Sequence, residues 1–146
     1  MYRVFLIALI ISLSGNSFAE DKFDRNQAIE TYKSECQLEL VLAMGLSSQK
    51  QDGKSKAELE KIASGSKDPK IMNVMVKELF SKPELGGGTY MFYRFENCLI
   101  SREYKVKPVK LDDVRPSLME CDEKNLEMEE LVGCIDAALL KKYKKF

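Results

Sequence analysis

A chain of 146 residues with 23 basic and 23 acidic side chains has the size of one domain. Its charge is too evenly balanced for general nucleic-acid binding, which draws most of its affinity from neutralising phosphates. It contains no histidine, so Ser-His and Cys-His nucleophilic machinery is excluded.

Residues 1–19 read as a secretory signal peptide. Arg3 supplies the positive start, Val4 to Leu13 an apolar stretch broken only by Ser12, and Ser17-Phe18-Ala19 a small-x-small cleavage site. The apolar stretch is short for a bilayer span, which makes an uncleaved anchor the weaker alternative. No cysteine stands near the cut to suggest a lipid-anchored form. The expected product is an exported chain, periplasmic or secreted, of Glu20 to Phe146. All acidic residues and 22 of the basic ones follow residue 19, for a mature balance of −1. No other stretch is long and apolar enough to cross a membrane.

Four cysteines in an exported chain read as two disulfides. Cys36, Cys98, Cys121 and Cys134 allow three connectivities, and spacing alone does not choose between them. Pairing neighbouring helices in chain order favours Cys36–Cys98 and Cys121–Cys134, although the second bridge asks the segment before Asn125 to be extended or steeply crossed. With no histidine and no C-x-x-C, no zinc site is expected, and no other metal or cofactor is implied.

The first helix is expected from Asp24 to Met44, with Asp24 and Gln27 as a capping box, Ile29, Tyr32, Cys36, Leu40 and Ala43 on one stripe, and Gly45 as terminator. A polar turn over Ser47 to Gly53 leads to a second capping box, Ser55 with Glu58, and a short helix through Leu59, Ile62 and Ala63. Asp68-Pro69 opens a third helix carrying Ile71, Met72, Met75, Val76 and Leu79. Pro83 marks its stop. Gly86-Gly87-Gly88 is a turn, since neither a preceding strand nor a Lys-Ser/Thr supports a phosphate loop.

Thr89 to Tyr104 is the densest aromatic run after the amino terminus and is expected to be a central helix capped by Thr89. Met91, Phe95, Cys98 and Arg102 fall on one line and Tyr93, Ile100 and Tyr104 on the opposite one. A helix apolar on two sides is either central or half-covered by a partner. Lys105 to Pro116 reads as an irregular crossing connection. A short segment from Leu118 to Lys124 and a last helix from Asn125 to Tyr143 complete an all-α bundle of five to six helices in a single domain, residues 20–146. The terminal KKYKKF suits a helix end, with weak contact to a membrane surface as the alternative.

The carboxylates Asp112-Asp113 and Glu127 to Glu130 are expected to be solvated, and no carboxylate is expected where burial would raise its pKa. Nothing marks a catalytic residue, so the expectation is a non-enzyme. The candidate partner strip is Tyr93, Glu96, Ile100 and Tyr104, aromatic side chains interleaved with charge. The alternative is that the last helix covers it. Ser81 to Gly88 is a second candidate, as a protruding loop. A pocket lined by Met72, Met75, Phe92 and Phe95 would instead suit an apolar lipid or metabolite.

The runs Tyr32-Lys-Ser-Glu-Cys36, Gln51-Asp-Gly-Lys-Ser55, Lys82-Pro83-Glu-Leu and Tyr93-Arg-Phe-Glu-Asn-Cys98 resemble small exported four-cysteine helical proteins of Gram-negative bacteria, most without assigned function. With a cysteine in the first helix and Cys98-Leu99 after the aromatic run, the stretch from Tyr32 to Ser101 is also similar to immunity proteins of type VI secretion amidase effectors. That resemblance implies a disulfide-bearing, all-helical periplasmic protein that plugs a cell-wall hydrolase. It transfers no inhibitory residue. The second cysteine pair and the tail have no counterpart in it.

Overall fold

The computed structural model describes residues 22–143, so the expected signal peptide and the last three residues lie outside the described part. Among the described residues there are six helices and no strand: α1 (Arg25–Gln51), α2 (Lys56–Ser64), α3 (Pro69–Leu79), α4 (Gly87–Glu103), α5 (Leu111–Glu123) and α6 (Met128–Tyr143). The domain is an all-α bundle stapled by two disulfides.

α1 begins where its cap was expected, with the Asp24 carboxylate accepting from the Gln27 amide at 3.1 Å. It does not end at Gly45. A glycine inside a helix costs about 1 kcal/mol relative to alanine, but Leu46 and Ser47 beyond it are buried. Lys50 donates to the Leu79 carbonyl at 2.6 Å and lies over the Phe80 ring. These tertiary contacts carry the helix to Gln51, and the chain turns at Gly53, whose φ of +90° needs a glycine. α2 carries the complete Ser55–Glu58 capping box. Pro69 stands at the first position of α3, whereas Asp68 makes no side-chain cap.

The start of α4 corrects the expected Thr89 cap. Gly86 is the cap residue and Thr89 lies buried in the first turn. The capping acceptor comes from α5: Asp122 takes the Gly86 amide at 2.8 Å and the Thr89 hydroxyl at 2.5 Å. A Cβ on Gly86 would stand 2.5 Å from Asp122 Oδ1. Close approach of a carboxylate to a helix start therefore explains that glycine better than flexibility does.

α4 ends in a Schellman arrangement. The Val106 amide donates to the Ser101 carbonyl and the Lys105 amide to the Arg102 carbonyl. Lys105 holds the left-handed position, φ 54°, that glycine usually fills. After the short connection to Lys110, α5 begins at Leu111, earlier than expected and with Pro116 inside it. Leu111, Val114, Leu118 and Cys121 form its buried face. Asn125, also left-handed at φ 49°, follows the α5 cap residue, so it ends α5 instead of starting α6.

α4 is the central helix, packed chiefly on α1 and then on α6, while α2 pairs with α3 and α5 with α6. The main core gathers Leu46, Leu59, Met75, Val76, Tyr90, Tyr93, Ile100, Leu118, Ile135 and Leu139. A smaller core, Ala28, Cys36, Phe95 and Leu99, surrounds the first bridge. Both expected disulfides form, Cys36–Cys98 with Cα atoms 5.6 Å apart and Cys121–Cys134 with 5.9 Å. Cys121 lies within α5, so no extended segment is needed for the second bridge.

The bridges close loops with sequence separations of 62 and 13. The loop-entropy relation assigns them about 4 and about 3 kcal/mol. Replacing Cys36 and Cys98 together by Ala should lower the urea midpoint more than replacing Cys121 and Cys134. The reverse order would mean that native packing, not chain entropy, sets the effect.

Candidate functional site

α4 carries polar side chains into the interior at three levels. At the first, Arg94 donates to Glu39 of α1 through Nε at 2.8 Å and to Glu78 of α3 at 3.1 Å, and Glu78 accepts the Tyr90 hydroxyl at 2.7 Å. At the second, fully buried Glu96 takes both nitrogens of the Arg25 fork, at 2.6 and 3.0 Å. Asp136 of α6 lies 3.8 Å from the same guanidinium, and its Oδ1 is buried without a partner. Burial, reinforced by the neighbouring Glu96 charge, pushes the Asp136 carboxyl up to about 8, against an opposing pull from Arg25. Asp136 therefore keeps its proton at neutral pH. This corrects the expectation that no carboxylate is placed where burial raises its pKa. The signal is visible in the sequence: Asp136 is the only charged residue between Leu131 and Leu140.

The third level fixes the chain between α4 and α5. The Asn97 amide donates to the Val109 carbonyl at 2.8 Å and accepts the Val109 amide at 3.0 Å, matching a backbone ladder with one side chain. The Tyr93 hydroxyl adds a bond to the same carbonyl, and the Tyr143 hydroxyl donates to Asn97 Oδ1 at 2.7 Å. Every polar group of Val109 is thus turned inward. Burial pushes the Tyr143 hydroxyl up to about 12.

Held this way, the connection forms a ridge between two depressions, with Val106 and Pro108 lining both. One is a polar cleft of about 470 Å³ beside the first bridge, lined by Arg94, Asn97, Ser101, Arg102 and Lys105 together with Glu39. The other is a groove of about 670 Å³ between the connection and the end of α6. Its apolar lining is Val106, Pro108, Val109 and Tyr143, and Lys107, Lys110 and Lys142 complete it with one carboxylate, Asp113. Among the described residues no ion pair engages these three lysines. In sequence Lys144 and Lys145 follow directly.

The expected partner strip lies elsewhere. Tyr93, Glu96 and Ile100 are each at most 1% exposed. Tyr93 is bonded to Val109, Glu96 is held by Arg25, and Ile100 packs in the main core. Tyr104 is half-buried, its ring 6.3 Å from that of Phe23 and 6.4 Å from that of Tyr143. The two-sided apolarity of α4 marks a central helix, covered on both sides by this chain. The loop from Ser81 to Gly88 is tied down by Arg115, which donates to the Pro83 carbonyl at 2.7 Å and to the Ser81 hydroxyl at 2.5 Å, and by the Asp122 cap. It does not protrude freely. Met72, Met75 and Phe92 pack in or against the main core and Phe95 in the smaller one, so these four residues fall in two separate clusters.

Among the described residues, no group of three or more Cys, Asp or Glu side chains is placed to hold a metal ion, and no helix is long and apolar enough to cross a membrane. The chain matches no described protein family, no curated protein and no solved structure.

Two tests follow from the buried polar groups. The folded protein holds the Asp136 proton up to about pH 8, whereas the unfolded chain releases it near 3.8. Between these values the native state binds more protons, so this group's contribution to stability falls as pH rises. Asp136→Asn should remove that slope and gain on the wild type toward alkaline pH. Unfolding free energies that stay parallel across the window would remove Asp136 as the cause. Asn97→Ala deprives Val109 and Tyr143 of their shared partner and should cost about 1–3 kcal/mol in denaturant unfolding. The amides of the connection should exchange faster with solvent than those of α2.

Proposed function

We propose that this protein is exported, stays folded in the oxidising periplasm, and acts without catalysis by binding another protein. The observation that carries the reading is the groove between the connection and α6. It is a preformed concavity with apolar walls and three cations that have no partner within the described chain. Groups with displaced proton affinities are tied into the fold: Tyr90 and Arg94 bond Glu78, Tyr93 bonds the Val109 carbonyl, Asp136 is buried beside Glu96 and Arg25, and Tyr143, which lines the groove, is bonded to Asn97. The two disulfides are compatible with an oxidising compartment.

The sharper form of this reading is an immunity or inhibitor protein directed against a cell-envelope hydrolase, in keeping with the resemblance over Tyr32 to Ser101. The second reading, a small apolar ligand, draws on the same groove, because a volume of about 670 Å³ falls in the range of ligand pockets.

Affinity capture with the oxidised mature protein from its own envelope distinguishes them. The expected result is one protein retained in stoichiometric amount, which co-elutes with the bait in size-exclusion chromatography. If that protein is a hydrolase, adding the bait should suppress its activity. A monomer without a protein partner, carrying a small molecule visible in native mass spectrometry, would replace this reading by the ligand one.

A further inference from the structure

Resting on the protein-binding reading, we infer that the groove takes an acidic segment of the partner: aspartate or glutamate residues on either side of an exposed apolar side chain. Three features set this chemistry. First, the lining combines an apolar strip, Val106, Pro108 and Tyr143, with three lysines against one carboxylate. A segment that fills the strip and answers the lysines must be apolar at its tip and negative at its flanks.

Second, that one carboxylate does not balance the three lysines. Asp113 lies in the first turn of α5, where a negative charge interacts with the helix start. Three cations against this one anion leave the groove positive. The whole chain has 23 charges of each sign, so this local excess is a property of the site and not of the composition.

Third, the ridge is rigid and shaped. Asn97, Tyr93 and Tyr143 hold Val109 from inside, while Val106 remains 41% exposed beside Lys105 in its left-handed conformation. A lysine at a backbone position that favours glycine is a local cost retained beside the ridge. A concave groove behind such a ridge accepts a protruding chain, whereas a flat anionic bilayer would meet the ridge and leave the groove unfilled.

A randomised peptide display library panned on the native, oxidised protein tests the inference. The control is the triple variant Lys107→Glu, Lys110→Glu, Lys142→Glu, whose circular dichroism and thermal transition establish that it folds. Enriched peptides should carry glutamate or aspartate around leucine or phenylalanine. Their affinity should fall at least about tenfold on the variant and weaken in high salt. In nuclear magnetic resonance the shifted amides should cluster at Val106, Lys107, Val109, Lys110, Lys142 and Tyr143. Peptides without acidic residues, equal enrichment on the variant, or no enrichment would overturn the inference. So would binding to phosphatidylglycerol vesicles that the triple variant loses while no peptide competes, which would assign the surface to a membrane. If the variant still captures the envelope partner, the groove assignment fails while the protein-binding reading stands. If neither form captures a protein, that reading itself fails.

Discussion

A carboxylate with no exposure to solvent, Glu96 in the middle of α4, is the constraint on which the arrangement of three helices depends. An unpaired charge at that depth is prohibitively costly, and breaking a buried pair by removing one partner typically costs about 3–5 kcal/mol. Its partner is Arg25, the first residue of α1, and the two-nitrogen fork fixes distance and direction together. α1 must therefore begin where Asp24 caps it, with Phe23 against Tyr104. α6 joins at the same point by offering Asp136, whose retained proton prevents two adjacent negative charges from facing one guanidinium. One buried charge thus sets the relation of α1, α4 and α6.

Further along, α1 and α4 run in opposite directions. Glu35 meets Arg102, Cys36 meets Cys98 and Glu39 meets Arg94. Beyond Gly45, the side chains of Ser47 and Gln51 lie against Gly87, where an added Cβ would stand 2.9 Å from Gln51 Nε2. The continuation of α1 past Gly45 and the glycine at the start of α4 are two sides of one contact. The same end of α4 depends also on Asp122, which serves it from α5, with the Cys121–Cys134 bridge beside it. The Cys36–Cys98 disulfide reinforces a contact that polar side chains already specify.

Local signals read correctly were those whose physics is local: the Ser55–Glu58 box, Pro69 at a helix start, and the pairing of Cys121 with Cys134 on consecutive helices; the expected Cys36–Cys98 bridge also forms, but it joins α1 to α4. Misreadings arose where a distant residue decides the outcome. Gly45 carries a terminator's propensity, but Leu79 and Phe80, far along the chain, hold the turn beyond it. Thr89 has a capping residue's chemistry, but Asp122 fills that role. Asn125 suits either a helix start or a left-handed stop, and its backbone adopts the second. Asp136 is different in kind: its apolar flanks announce burial, and only its coupling to Glu96 and Arg25 needed the fold. The strip of Tyr93, Glu96 and Ile100 shows the limit of periodicity, because an aromatic and charged stripe looks the same whether its hydroxyls and carboxylates are answered by solvent or by Val109 and Arg25.

The groove was least legible because it is built by hydrogen bonds instead of by a hydrophobic pattern. Lys105 to Lys110 has no helical periodicity and, for the short β-like pattern from Val106, no partner strand, so its sequence gives no reason to lie where it does. Its position comes from Asn97, one buried amide that satisfies both backbone groups of Val109, with Tyr93 and Tyr143 bonded to the same residue. Because those bonds point inward, the apolar faces of Val106 and Pro108 are not consumed in holding the segment. The polar interior thus fixes a connection whose apolar surface stays available. A partner that docks there needs little rearrangement of this chain, so less of its binding energy is lost to ordering. Local excess positive charge would speed the encounter with an acidic surface.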